Sequence, residues 1–173
     1  KDPRNYAMVG FGGAGPAHAA EVTRAFAVKE VIVPPASGAA SALGFLAAPL
    51  SFETVRSHPV EFTAPFDAAA LAEVLSLLAA QGRALLVEAG VAPGDVTIER
   101  SADMRLVGQM HEITVPLPDG ALTPNRVEEV RSAFVATYAT RYATPPAGAR
   151  FEAINFRIRC VGPTPKLALR GAV

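Results

Sequence analysis

The sequence predicts an α/β protein whose second half is a small α+β unit. Two short, mostly apolar segments, residues 6–11 and 28–34, are typical of buried strands. A glycine-rich turn and a helical segment separate them. The order β-α-β-α-β in the first half, with buried early strands, indicates an α/β fold. The second half follows the order α-β-β-α-β, which indicates a separate α+β unit.

The first half begins with a strand that runs directly into the glycines. Pro16 suits the first turn of the next helix, because proline has no N–H and a helix leaves its first N–H groups without partners. Ser37 or Ser41 is a candidate N-cap for a helix of small residues. The predicted elements are a strand at residues 6–11, a helix at 17–27, a strand at 28–34, a helix that ends near residue 50 and a strand at 51–62.

The second half begins with a long helix that we predict to start after Asp67 and to end at Gly90. A Pro-Asp-Gly turn follows the second strand, and Thr123 precedes the last helix. The apolar face of the long helix is predicted to contain Leu71, Val74, Leu75, Leu78, Leu85 and Leu86, and that of the last helix Val127, Val130, Phe134 and Tyr138. The predicted strands are residues 96–107, 112–117 and 151–161, with Ile154, Phe156, Ile158 and Cys160 sharing one side of the last strand.

Composition limits the partners that this chain can have. Its 173 residues are 50% hydrophobic and include 16 basic and 16 acidic side chains, so the formal net charge is zero. This content is enough for a core in one domain or two small ones, and it gives no basic face for nucleic acid. Residues 31–52 are uncharged but contain prolines and small residues, so we predict no membrane span. The single cysteine, Cys160, allows no internal disulfide, which fits a cytoplasmic protein.

A glycine-rich loop lies between the first strand and the first helix. Gly10, Gly12, Gly13, Ala14 and Gly15 form the pattern G-x-G-x-x-G with the residues between them. Glycines let the backbone approach a phosphate, and the start of a helix offers free N–H groups and the positive end of its dipole. The pattern therefore indicates a phosphate-bearing ligand, with a tight turn that binds nothing as the alternative.

A Rossmann dinucleotide site needs one more residue than this loop supplies. An acidic side chain at the end of the second strand normally binds the ribose hydroxyls. The second predicted strand ends in Val33 and Pro34, and its acidic residue, Glu30, lies at its start. A Rossmann-type dinucleotide-binding module is therefore the second interpretation.

Four segments in order resemble one family. They are GFGGAGPAHAAE at residues 10–21, VIVPPASGAASALGFLAA at 31–48, ADMRLVGQMHEITVPLP at 102–118 and FEAINFRIRCVG at 151–162. They closely resemble the hydantoinase A/5-oxoprolinase family, which includes N-methylhydantoinase A and the acetone carboxylase β-type subunits. The third segment is similar to the family pattern D-x-R-Y-x-G-Q-x-x-E, and the fourth to E-x-x-N-x-R. The chain departs from the family at Ala17, where leucine is usual, and at Leu106, where tyrosine is usual.

The resemblance implies the C-terminal portion of a longer subunit. Residues 1–62 would complete an actin-like ATPase domain of the sugar kinase/Hsp70 type (the ASKHA class), and residues 63–173 would form a C-terminal α+β domain. Family members use ATP to activate a carbonyl, either for hydrolysis of a cyclic amide or for carboxylation of a ketone. The glycine loop would contact the nucleotide, and the Mg ligands and the first phosphate loop would lie outside this chain. The implied partners are the missing N-terminal part of the subunit and a hydantoinase B-type subunit or domain, so the isolated chain is expected to be inactive.

Several polar residues are candidates for a functional role, and each also has a structural interpretation. His18 lies one turn into the first helix, where the family pattern keeps a histidine, and it is either a ligand or interface residue or a partly buried histidine. Asp103, Arg105, Gln109 and Glu112 form a dense polar cluster, which either binds a ligand or partner or forms ion pairs. We expect Asp103 and Arg105 to share one face of their strand. We also predict that Arg157 and Arg159 face solvent and that Cys160 is a small core residue.

The catalytic residues are unknown, and no metal site is predicted. A third interpretation, a non-catalytic assembly domain, also stays open. It treats the glycine loop as a turn only.

Overall fold

The chain divides into two compact units, which the computed structural model describes over residues 1–63 and 65–166. The first unit contains Lys1–Pro49 and the second contains Leu50–Pro163. Residues 167–173 of the predicted second domain lie outside the described residues. The α/β class is confirmed, because the first unit pairs parallel strands around a helix and the second places helices on an antiparallel sheet.

The first unit is built around two very short strands. The elements are β1 (Met8–Val9), α1 (Gly15–Ala25), β2 (Val31–Ile32) and α2 (Ala40–Ala47), with 3₁₀ turns at Pro3–Asn5 and Ser37–Ala39. The strands pair in parallel, with Met8 opposite Val31 and Val9 opposite Ile32. The predicted β-α-β-α order is therefore present, although both strands are shorter than the sequence suggests.

The prediction that these first strands are buried is wrong for the unit as described. Val9 is 53% exposed and Ile32 is 45% exposed. A parallel sheet is normally covered on both faces, whereas this two-stranded sheet leaves apolar side chains uncovered. The predicted serine caps are also absent, because α2 begins after Ala39 and no side chain caps its first turn.

The second unit contains a four-stranded antiparallel sheet in the order β3-β6-β4-β5. Asp67 caps its first helix as predicted, since its carboxylate accepts hydrogen bonds from the backbone N–H groups of Ala69 and Ala70 at 3.0 and 2.9 Å. Gly90 has a φ of +93° just after that helix, which favours glycine. The elements are β3 (Ser51–Glu61), α3 (Ala68–Glu88), β4 (Thr97–Leu106), β5 (Ile113–Pro116), α4 (Val127–Ala139) and β6 (Phe151–Val161).

The division between the units differs from the predicted boundary at residue 62. β3 was predicted to complete the first domain, but it pairs with β6 from Ser51 opposite Val161 to Glu61 opposite Glu152. The hydroxyl of Thr54 also donates to the Leu78 carbonyl of α3 at 3.0 Å. Because its backbone pairs with β6 and its Thr54 side chain bonds to α3, β3 belongs to the second unit.

Both helices of the second unit cover the same face of the sheet. α3 packs on β3 and β6, and α4 packs on β5. By length and hydropathy α3 could cross a membrane, but Leu71 and Leu86 are fully buried in this core. Leu85 is exposed, contrary to the prediction, and Gly82 takes its place on the buried face. The largest fully buried side chains are Phe134, Phe151, Phe156, Leu71, Leu86, Met104 and Ile158.

Cys160 is fully buried, as predicted for a core residue. Burial raises the pKa of its thiol, which opposes formation of the nucleophilic thiolate. A Cβ added to Gly82 would lie 2.8 Å from Cys160 Sγ, so α3 approaches β6 closely only because this helix residue has no side chain.

We expect Gly82→Ala to destabilise the second unit by about 1 kcal/mol, since the crowding exceeds the gain in helix propensity. Chemical denaturation of the second unit measures this free energy. In a Cys160→Ala background the same substitution should cost less, because the sulfur has been removed. An equal cost in both backgrounds would contradict the close contact.

Candidate functional site

The glycine loop connects β1 to α1 through a chain of backbone hydrogen bonds. The N–H of Gly10 donates to the Ile32 carbonyl at 2.9 Å and extends the parallel ladder by one residue. The N–H of Gly12 donates to the Ser37 carbonyl at 2.6 Å, and that of Gly15 donates back to the Gly12 carbonyl at 2.8 Å. The predicted loop residues therefore form one tight turn at the start of α1.

Three of the glycines are required by the geometry of this turn. Gly12 has a φ of +75° and Gly13 a φ of +31°, which side chains rarely adopt. A Cβ on Gly10 would lie 2.7 Å from the Cβ of Ala19, so β1 and α1 touch at this point. The sequence pattern thus fixes both the turn and the packing of the helix against the strand.

The start of α1 presents backbone donors to open space. In the described part of the chain, the N–H groups of Gly13 and Ala14 have no backbone acceptor, and no side chain caps the helix. A Cβ built on Gly13 or Gly15 meets nothing within 4 Å. An uncapped helix start with accessible N–H groups has the donors and the dipole that favour an anion such as phosphate.

The structure supports the argument against a Rossmann site. Glu30 precedes β2, and its backbone carbonyl accepts the N–H of Met8 at 2.9 Å. The residues that follow β2 are Val33 and two prolines. No acidic side chain therefore follows this strand where the ribose of a dinucleotide would lie.

His18 lies on α1, one turn after Gly15, and is exposed. The partly buried alternative is therefore not what the structure shows. An exposed imidazole near the start of this helix is accessible to a ligand or a partner, and its role stays a prediction.

The four residues of the predicted polar cluster separate into different contacts. Arg105 and Glu112 lie together, with a guanidinium nitrogen of Arg105 3.3 Å from Glu112 Oε1. Gln109 lies in the turn after β4, and its amide donates to the Tyr138 hydroxyl on α4 at 2.8 Å. Asp103 contacts none of the other three. The four residues therefore do not form one hydrogen-bonded network, and a role of any of them in binding stays a prediction.

Asp103 is the centre of a network on the open face of the sheet. It is only 7% exposed. Both carboxylate oxygens accept a hydrogen bond from Arg157 Nε at 3.0 Å. The Asn155 amide donates to Oδ2 at 3.1 Å, and the Thr114 hydroxyl donates to Oδ1 at 3.1 Å. Burial raises the pKa of Asp103, but the hydrogen bonds from these three side chains outweigh burial and hold that pKa below its usual value.

Arg157 was predicted to face solvent, and this prediction is wrong. Its guanidinium bridges Asp103 and Glu53, with a nitrogen 2.8 Å from Glu53 Oε1. Arg159, in contrast, is exposed as predicted and pairs with exposed Glu99 at 3.2 Å. Strand alternation gives both arginines the same face, so it cannot tell which of them lies over a buried carboxylate.

A β-bulge explains the spacing of the two polar motifs. Asp103 and Arg105 lie two residues apart on β4, but their partners Asn155 and Glu152 lie three residues apart on β6. The register shifts between them, which leaves Ile154 as the extra residue. The acidic and basic residues of D-x-R and of E-x-x-N-x-R therefore bind each other across neighbouring strands. Their shared contacts give both motifs a structural role.

The bulge also corrects the predicted apolar side of β6. Ala153, instead of Ile154, is fully buried beside Phe156 and Ile158. Strict alternation fails here because one residue of the strand has no partner on β4.

The first unit exposes a large amount of apolar surface. α2 has no charged residue and no buried residue, and Phe45 at its C-terminal half is 84% exposed. A helix that is apolar on all sides is typical of a buried environment. The other exposed apolar residues of this unit include Val9, Phe11, Phe26, Ile32, Val33 and Leu46.

Known proteins share these features of sequence and fold. The family model described as Hydantoinase/oxoprolinase matches residues 1–54, which contain the glycine loop, α1 and α2. The alpha subunit of caprolactamase from Pseudomonas jessenii is 25% identical over 96% of this chain. The 5-oxoprolinase 1 of Arabidopsis thaliana is 30% identical over 62% of it. The chain belongs to the hydantoinase/oxoprolinase family.

Solved structures of hydantoinase/oxoprolinase relatives have the same fold. A nucleotide-free structure of acetone carboxylase, described as carrying out ATP-dependent acetone carboxylation, matches 95% of this chain with a TM-score of 0.82 and 25% identity. The ATP-dependent caprolactamase from Pseudomonas jessenii matches with a TM-score of 0.68 and 23% identity. The chain spans about a quarter of the length of these relatives and 8% of the 5-oxoprolinase. These relatives are enzymes, so the hydantoinase/oxoprolinase family is an enzyme family. This chain matches only a part of each relative.

Proposed function

We propose that this chain is part of an ATP-dependent subunit of the hydantoinase/oxoprolinase type, in which the glycine loop binds the phosphates of ATP. The observation that carries the proposal is the loop between β1 and α1, where Gly13 and Ala14 are exposed at a helix start and their N–H groups have no backbone acceptor. Acetone carboxylase and caprolactamase, which have this fold, are described as ATP-dependent.

The open space around the loop supports phosphate binding. A Cβ on Gly13 or Gly15 meets nothing within 4 Å, so a ligand can approach the backbone there. The positive end of the α1 dipole adds attraction for an anion. The described residues contain no group of three or more His, Cys, Asp or Glu side chains that would hold a metal ion. We propose that the Mg ligands belong to a part of the subunit outside this chain.

We further propose that the first unit completes an actin-like ATPase domain. The exposed apolar residues of α2 and of the parallel strands support this, because such surface is stable only when another layer covers it. The remainder of a longer subunit is the proposed cover, and a hydantoinase B-type subunit or domain is the proposed second partner. On this basis the isolated chain is inactive.

The proposed reaction uses ATP to activate a carbonyl group. The substrate is a cyclic amide that is hydrolysed or a ketone that is carboxylated, since caprolactamase, 5-oxoprolinase and acetone carboxylase are all among the similar proteins. The part of this chain is to bind the nucleotide through Gly10, Gly12, Gly13, Ala14 and Gly15. His18 is exposed on the same helix and is our candidate for a further ligand contact.

We expect Gly13→Asp to abolish Mg-ATP binding by the longer protein that contains this chain. The new carboxylate would stand at the phosphate position, and like charges repel there. Isothermal titration with Mg-ATP measures the loss. Gly148→Asp is the matched control, because Gly148 also has a positive φ and open space around it but lies in the second unit.

Two outcomes would contradict the proposal. Equal ATP affinity in both variants would mean that the loop is only a turn, as an assembly domain requires. Micromolar binding of NAD by this chain alone would instead make the loop a dinucleotide site. Titration of the chain with NAD, beside the titration with Mg-ATP, separates these interpretations.

A further inference from the structure

The second unit contains a cleft of about 320 Å³ between α3 and the sheet. This volume lies at the small end of the range of about 300–1,000 Å³ for small-molecule sites. Its accessible apolar lining includes Ile98 and Ala72, whereas Leu75 and Ile158 also border it but are buried. α3 contributes small side chains at the cleft, among them Ser76 and Ala79, which leave the space open.

Arg100 is the only charged side chain among the described residues that line the cleft. It lies on β4 between Ile98 and Ala102, where alternation directs it to the apolar face of the sheet. Its guanidinium donates to the Gly120 carbonyl at 2.7 Å and to the Pro118 carbonyl. These two bonds fix the group at one end of the cleft.

The charge of Arg100 has no bound carboxylate among the residues that the structure describes. Both acceptors of its guanidinium are neutral backbone carbonyls. Burial lowers the pKa of Arg100, while the more distant charges of Asp119 and Arg126 act on that pKa in opposite directions. A partly buried cation of this kind gains stability from an anion that reaches it.

We propose that this cleft binds a small amphipathic carboxylate, whose carboxylate contacts the Arg100 guanidinium and whose aliphatic chain packs on Ile98 and on the accessible small side chains of α3, Ala72 and Ala79. Charge complementarity selects the anionic end, and the apolar walls select the aliphatic body. The site is distinct from the glycine loop, because it lies wholly within the second unit. The proposal does not depend on nucleotide binding.

Sodium octanoate is the probe, and 1-octanol is the neutral comparison of equal chain length. We expect saturable amide shifts for residues of the cleft when octanoate is titrated into the ¹⁵N-labelled chain, with octanol binding at least about tenfold more weakly. Arg100→Gln should weaken octanoate binding at least about tenfold and leave octanol binding within about twofold. Arg83→Gln is the matched control, because Arg83 also donates to a backbone carbonyl but does not line the cleft.

A second pair of variants decides the question if Arg100→Gln does not fold. Ser76 is exposed at the cleft, so Ser76→Leu should fill the space and prevent octanoate binding, whereas Ser76→Ala should leave it unchanged. The proposal is overturned by equal affinity for octanoate and octanol, by octanoate binding that survives Ser76→Leu, or by shifts confined to the first unit. Absence of any saturable shift would overturn it as well.

Discussion

Asp103→Asn is expected to reduce the free energy of unfolding of the second unit by about 3 kcal/mol. Breaking a buried ion pair typically costs about 3–5 kcal/mol, and the lower end applies because Arg157 is partly exposed. The substitution keeps the shape of the side chain. It replaces one acceptor oxygen by an NH₂ group that faces the donors of Arg157 and Asn155. Urea denaturation followed by circular dichroism measures the change.

Glu99→Gln is the matched control for this prediction. Glu99 forms a cross-strand ion pair with Arg159 on the same face of the same sheet, but both side chains are exposed. Exposed pairs contribute about 0–1 kcal/mol, so the free energy of unfolding of this variant should remain close to that of the parent chain. Equal losses in the two variants would show that burial of Asp103 does not matter. Because Asp103 and Arg157 contact each other directly, the double variant Asp103→Asn/Arg157→Gln should lose less than the sum of the single variants.

In Asp103→Asn, the free energy of unfolding of the second unit is expected to fall less steeply as the pH is lowered. The pKa of Asp103 is held below its ordinary value in the fold, so its ionised form stabilises the folded state. This contribution is complete above the unfolded pKa of about 3.9 and is lost as the pH falls toward the folded pKa. Glu61, whose pKa Arg150 and Thr63 lower to about 2, gives a similar slope in both proteins. The difference in free energy of unfolding between the parent chain and Asp103→Asn should therefore become smaller below about pH 4.

Local patterns in the sequence predict most of the second unit. Asp67 and Gly90 delimit α3 because each satisfies a local requirement of a helix end. The bounds of β6 were predicted as they are found, since its alternation runs between clear turns. Its apolar side was partly wrong, because the bulge at Ile154 depends on the register with β4. Register is a property of two strands, so one strand alone does not reveal it.

The same distinction between local and non-local information applies to the site. The glycine loop was predicted because its glycines are required by the local backbone and by a contact only nine positions along the chain. The partner of Asp103 was not predicted, because Arg157 is far away in sequence. The spacing E-x-x-N was an available signal, since two polar residues three apart on one strand indicate a bulge when both face the same side. The assignment of β3 to the first domain failed for the same reason, because its partner β6 lies near the other end of the chain.

Gly10→Ala is expected to have the largest effect on the first unit, about 3 kcal/mol, at the upper end of the range for overpacking. The new Cβ would lie 2.7 Å from the Cβ of Ala19. Neither methyl group can rotate away, so α1 must move from β1. Amide hydrogen exchange along α1 measures the effect, and protection should fall at least about a hundredfold. In the proposed function the displaced helix start also loses its phosphate, so Mg-ATP binding by the longer protein should be lost.

Two further variants test the cause of this effect. Ala19→Gly removes the methyl group that Gly10→Ala meets, so the double variant should recover most of the protection, less about 1 kcal/mol for a glycine inside a helix. Gly44→Ala in α2 is the matched control, because its Cβ meets nothing within 4 Å and its φ is not positive. That substitution should leave exchange along α1 unchanged. If Ala19→Gly fails to restore protection, the close approach of β1 and α1 is not what requires glycine at position 10. Only the positive φ angles of Gly12 and Gly13 would then require glycine in this loop.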